Sequence, residues 1–141
     1  LLEDDHRSLI HTMKQLTNIL QTEQSQTEQD IDTKTIKSLV FALRDRLLTH
    51  FHLEVNMEIL SDLMEQIPSC KLQAEKIFSE HKFFVEIIDA IYHLSINLHP
   101  NNRNQLNELI DKYEEFKKRI KKHEEKEDQL MHQIFNQSSS Q

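Results

Sequence analysis

Four histidines stand in rows that are otherwise apolar. His6, His50, His81 and His123 each fall in a run built from steps of three and four residues, the spacing that lines one face of a helix. Two of them are followed four residues later by a glutamate on the same face, Glu54 after His50 and Glu127 after His123. A lone imidazole on such a face is more often a satisfied core residue than a ligand. A buried glutamate is harder to accommodate, because an uncompensated carboxylate in an apolar core is costly and demands a cation or hydrogen-bond donors. One metal centre would satisfy all of these groups together. Imidazoles mixed with carboxylates, with no thiolate, suit iron, manganese or zinc, and carboxylates able to bridge favour a dinuclear centre over a structural zinc.

The elements that must carry these groups are helical. The 141-residue chain has no glycine and only two prolines, and it is rich in Leu, Ile, Glu, Lys and Gln, a composition that favours an all-α fold without strands. The polar stretch 21–32, the Pro68-containing stretch 67–70 and the Pro100-containing stretch 99–102 mark the connections. They leave helices over 2–20, 33–66, 71–98 and 103–135, lengths that suit an antiparallel up-down-up-down four-helix bundle. The rows run through Leu9, Met13 and Leu16; Ile36, Val40, Leu43 and Leu47; Ala74, Ile77, Phe84 and Ile88; and Leu109, Tyr113, Phe116 and Ile120. Each row contains one of the four histidines. At about 1.5 Å per residue, His50, His81 and His123 come to similar heights in such a bundle, toward the end where the chain begins. The remaining histidines, His11, His52, His93, His99 and His132, fall off the rows or in a connection and are expected at the surface.

Other features narrow the function. A formal net charge of −7 argues against a nucleic-acid partner, which would need a basic face. The basic run from Lys117 to Lys122 is followed by Glu124, Glu125, Glu127 and Asp128 and reads as a solvated helix face. No apolar run is long enough to cross a bilayer and nothing resembles a signal peptide, so a cytoplasmic protein without membrane contact is expected. The single cysteine, Cys70, lies beside Pro68 in an expected connection and reads as structurally incidental. One domain over residues 1–135 accounts for the rows. The polar tail 136–141 reads as a linker to an output domain beyond this chain.

The order of these pieces resembles the bacterial haemerythrin family, the cation-binding domains built on paired His and Glu, across essentially the whole sequence. "DDH" ending at His6 resembles that family's first-helix ligand, and "HFHLE" from His50 to Glu54 resembles its His-Phe-x-x-Glu motif. "IFSEHKFF" matches the third-helix motif at Glu80, His81 and Phe84, and "HEEKED" from His123 to Asp128 matches His-x-x-x-Glu-Asp. A ferritin-like site is disfavoured, because only Glu3-Asp-Asp-His6 has its Glu-x-x-His spacing.

The resemblance implies two iron ions bridged by an oxo or hydroxo group and two carboxylates. His6 and His50 would serve the iron that takes dioxygen, and His81 and His123 the other. Glu54 would bridge, together with Asp128, which holds the bridging position in the family's pattern. Helical geometry instead favours Glu127, since four residues advance a helix by about 40° past a full turn and five by about 140°. The chain departs from the family at Ile77, which occupies the place of a further histidine and leaves a ligand position vacant. Water, a small anion or dioxygen is expected there. Glu80, about 300° round the helix from Ile77, is expected at the surface.

The expected function is a non-haem diiron domain, not itself an enzyme, that binds dioxygen or senses redox state. It would regulate an attached signalling module, such as a nucleotide cyclase or a chemotaxis-type domain. A free-standing oxygen carrier or iron store is the alternative, as is a diiron protein that handles nitric oxide, peroxide or the repair of iron centres. The partners are then dioxygen or another small diatomic or anion, and the output domain.

Overall fold

The computed structural model describes residues 2–55 and 65–139. Among the described residues the chain is all-helical, with four long helices and no strand: α1 (Leu2–Ser25), α2 (Thr33–Val55), α3 (Pro68–Ile96) and α4 (Arg103–Ser139). Residues 56–64, which the pattern assigns to the second helix, and the last two residues of the expected tail lie outside the described residues.

Two helices, α2 and α4, start where short polar side chains hold their unpaired amides. Asp32 accepts from the Thr35 backbone N–H at 3.1 Å and from the Thr35 hydroxyl at 2.6 Å, which starts α2 and holds the Asp32 carboxyl below its usual range. Asn102 does the same for α4 through the Gln105 N–H at 3.0 Å. α3 starts without a side-chain cap, at Pro68, whose missing N–H costs nothing in the first turn of a helix.

Four boundaries differ from the sequence reading, among them the end of α3, at Ile96 and not at 98. α1 continues to Ser25, because a stretch of Gln, Thr and Glu is polar without breaking a helix. α3 begins at Pro68, so Cys70 lies inside its first turn. α4 continues through Ser139, past the point where a linker was expected.

The rows meet as one core. Leu9, Leu16, Ile36, Val40, Leu43, Leu47, Phe84, Ile88, Leu109, Tyr113 and Phe116 are all buried in it. Tyr113 is anchored from inside, its hydroxyl donating to the Met13 carbonyl at 2.7 Å and lying 2.9 Å from the Thr17 hydroxyl. At one end Arg103 donates to the Glu23 and Gln29 carbonyls at 2.6 Å, and the Ile31 N–H donates to the Pro100 carbonyl at 2.7 Å. Arg44 of α2 meets Asp89 of α3 at 2.7 Å. The opposite end has a different composition. There the apolar packing gives way to a layer of histidines and glutamates, and beyond it lies a second, smaller cluster of Cys70, Ala74, Ile77, Leu130 and Ile134.

Candidate metal centre

The four row histidines converge in this layer, one from each helix. His6 and His50 have ring centroids 5.6 Å apart, and His81 and His123 5.0 Å apart. Glu54 lies between the two pairs. One of its oxygens contacts His50 Nε2, and the other lies 3.1 Å from His81 Nε2. Glu127 Oε1 lies 2.5 Å from His123 Nε2 and 3.5 Å from His81 Nε2. Glu124 completes the other side, 3.1 Å from His50 Nε2 and 3.3 Å from His6 Nδ1. The result is two facing groups, His6, His50 and Glu124 against His81, His123 and Glu127, spanned by Glu54.

The polar atoms here are not satisfied by one another. Both Glu54 oxygens, Glu127 Oε1, His81 Nε2 and both His123 ring nitrogens are buried with no hydrogen-bond partner among the described residues. Their approaches are close but misaligned, and the 2.5 Å between His123 and Glu127 is shorter than an ordinary N–H···O bond. Buried donor atoms left without well-aligned partners of their own fit a cation better than a complete hydrogen-bonded network. Within each of the groups His6, His50 and Glu124, and Glu54, His81, His123 and Glu127, the donor atoms lie within 4.8 Å of one another, so each group can hold a metal ion.

Carboxylates also stand behind two of the rings, one hydrogen-bonded and one at longer range. His50 Nδ1 lies 2.9 Å from Asp5 Oδ2, which turns Nε2 toward Glu54 and Glu124. His123 Nδ1 is 3.6 Å from Glu80 Oε1, and Glu80 in turn meets Lys126 at 3.3 Å. A carboxylate behind a ligating imidazole fixes its orientation and raises its basicity. Phe51 stacks on the His81 ring at 3.8 Å, and Phe84 stands against His123 at 5.1 Å, so aromatic walls close the inner side.

Electrostatics in the metal-free chain follow from burial opposed by close opposite charge. Burial pushes His50 down, but Glu124 and Glu54 outweigh it and raise the ring to about 11. His81 is raised against burial by Glu127 and Glu54, whereas burial wins at His123 and lowers it. The two neighbouring carboxylates divide the charge. Burial would raise Glu54, but His50 and His81 hold it well below the usual carboxylate range, while burial pushes Glu127 up to about 9.

No family model, curated protein or solved structure matches the chain. The reading of this site therefore rests on its geometry.

Of the residues expected from sequence, His6, His50, Glu54, His81, His123 and Glu127 come together. Asp128 is exposed and lies outside the clustered groups, facing a 370 Å³ cavity that His6, His50, Glu54, Glu124, Glu127 and Met131 also line. Ile77 is 5% exposed and packs in the second apolar cluster with Cys70, which is itself buried. Glu80 is half-buried behind His123. His11, His52, His93, His99 and His132 are exposed.

Two residues escaped sequence reasoning, Glu124 and Asp5. Glu124 had a signal: from Ile120, steps of four and three lead to Glu124 and Glu127 as regularly as steps of three and four lead to His123 and Glu127. A helix packed between two neighbours presents two adjacent rows, and Glu124 lies on the one that meets His6 of α1. Asp5 had no such signal, because its role depends on where His50 of another helix arrives.

Proposed function

We propose that this chain is a haemerythrin-like dinuclear iron domain in an antiparallel up-down-up-down bundle, sensing dioxygen or redox state for an attached output module. The observation that carries the reading is the split of Glu54, one oxygen toward His50 and the other toward His81. A carboxylate that meets one histidine group with each oxygen is placed to bridge two ions. The up-down orientation is supported by the contact of Asp5, at the start of α1, with His50, near the end of the described part of α2.

Iron bound there would supply reversible electron transfer and an affinity for dioxygen. The chain contributes the rest. His6, His50 and Glu124 hold one side, and His81, His123 and Glu127 the other, while Phe51 and Phe84 keep water from the inner wall. Three carboxylates place more negative charge around the ions than histidines alone would, which favours the more highly charged, oxidised state. That bias suits a sensor over a carrier. α4 supplies His123, Glu124 and Glu127, so a change in ligand preference acts most directly on this helix. A signal requires that the two oxidation states differ in their affinity for two helix arrangements.

Metal analysis of aerobically purified protein, with visible spectra before and after anaerobic reduction and on return to air, tests the reading. Two irons per chain, with bands that bleach and return, support it. No iron, or a single zinc, overturns it. A persistent oxygenated form would favour the carrier, and turnover of nitric oxide or peroxide above that of free iron would favour an enzyme.

A further inference from the structure

A groove of about 480 Å³ runs between α1 and α4 and ends at the candidate centre. Its volume lies within the range of small-molecule sites. The floor is apolar, formed by Leu9, Ile10, Met13 and Ile120. Its two ends carry opposite charge. Lys14, Lys117 and Lys121 stand at one end, and His6, Glu124, Glu125 and Asp128 at the other.

Lys117 pairs with Glu114 at 3.1 Å, but Lys14 and Lys121 make no ion pair among the described residues. In a chain with a formal net charge of −7, three cations facing one apolar trough are a local reversal. The acidic end would repel an anion. An anionic head is therefore drawn to the lysines, with its apolar body along the floor and its far end toward His6 and Glu124. From Lys14 to His6, the two ends of the groove on α1, is eight residues, about 12 Å, the length of a saturated acid of about eight carbons with its carboxylate oxygens and methyl.

We infer that this groove binds a medium-chain monocarboxylate, its carboxylate held by Lys14 and Lys121 and its terminal methyl directed at the His6 side of the metal centre. Binding itself needs only the groove; the direction toward a metal rests on the dinuclear reading above. The ligand would lie against His6 and Glu124, so its occupancy bears on the ligands of one ion and not on those of the other. The basic run of α4 then has two faces, with Lys117 and Lys121 on the groove and Lys118 and Lys122 exposed outside the groove lining.

The test titrates the full chain, metal-free and metal-loaded, with butanoate, hexanoate, octanoate and octanol, following heat and ligand proton signals. The expected result is saturable one-to-one binding of octanoate, tightening about threefold to fourfold per methylene up to eight carbons. Octanol should bind at least tenfold more weakly. The Lys14→Ala, Lys121→Ala double variant alters exposed side chains only and should weaken octanoate tenfold or more, with unchanged helicity and metal content. In the metal-loaded chain a paramagnetic ion should broaden the terminal methyl of octanoate more than the methylene beside its carboxylate. Four results would overturn the inference: no saturation at millimolar octanoate, equal binding of octanol, indifference to the lysine double variant, or a chain-dimer interface covering the groove. Binding without any metal uptake would leave the groove standing and remove the dinuclear reading, whereas metal uptake without octanoate binding would do the reverse.

Discussion

Glu54 of α2 reaches across to α3, its Oε2 lying 3.1 Å from His81 Nε2 while its other oxygen stays on His50, one turn back along its own helix. Both oxygens are buried without a hydrogen-bond partner. This carboxylate connects the two halves of the cluster. Glu54→Gln keeps the volume but offers one neutral oxygen where two charged ones stood. Metal content should fall from two ions per chain to one or fewer, with the helical content of the metal-free chain retained. Metal analysis of purified variant and parent checks this, and an unchanged stoichiometry would remove Glu54 from the bridging role.

Glu124 and Asp128 supply a second comparison, because they lie four residues apart on α4 and differ in burial. Glu124 is 9% exposed and contacts His6 and His50, whereas Asp128 is exposed. Glu124→Gln should lose the ion on the His6 side or weaken it at least tenfold. Asp128→Asn should leave metal content and affinity within about twofold of the parent. Competitive titration with a chelator separates the two. Loss of metal in the Asp128 variant alone would favour Asp128 over Glu124 as a ligand.

The metal-free cluster makes stability depend on pH in a definite direction. His50 is raised from 6.5 to about 11, so the stabilisation it contributes is complete below pH 6.5 and is lost as pH rises toward 11. Glu127 is raised from 4.5 to about 9, so its burial opposes folding increasingly as pH rises through that window. Both effects act in the same sense between pH 6.5 and about 9, where the midpoint of thermal unfolding of the metal-free chain should fall steadily. Metal must displace the same protons, so affinity should rise over that window and the loaded chain should show the opposite trend. Thermal melts with and without metal at several pH values test this. A metal-free chain that grows more stable from pH 7 to 9 would contradict it.

The sequence made the helical content, the apolar rows and the four inward histidines legible because each depends on spacing within a single helix. Glu127 was open to the same reasoning, since it sits one turn from His123. Asp5 was not, because its 2.9 Å contact with His50 depends on how α1 and α2 dock. The extension of α1 to Ser25 escaped for another reason. Polar composition marks solvent exposure, and without glycine or proline it does not mark the end of a helix. Cys70 looked incidental beside Pro68, yet that proline opens α3 and turns the thiol into the smaller core.

Ile77, which the family resemblance would place at a ligand position, lies in the core. Its side chain packs with Cys70, Ala74, Leu130 and Ile134, closing the end of the bundle beyond the histidine layer. Removing it should therefore cost packing. Ile77→Ala should destabilise the chain by about 2–4 kcal/mol through lost burial and the cavity left behind. Metal stoichiometry should stay the same, because none of the clustered nitrogen or oxygen donors belongs to Ile77. Denaturant unfolding of the metal-free variant measures the first effect, and metal analysis of the loaded variant the second. A variant of parental stability with altered spectra or faster oxidation would instead place Ile77 at the metal, shielding an open position from solvent.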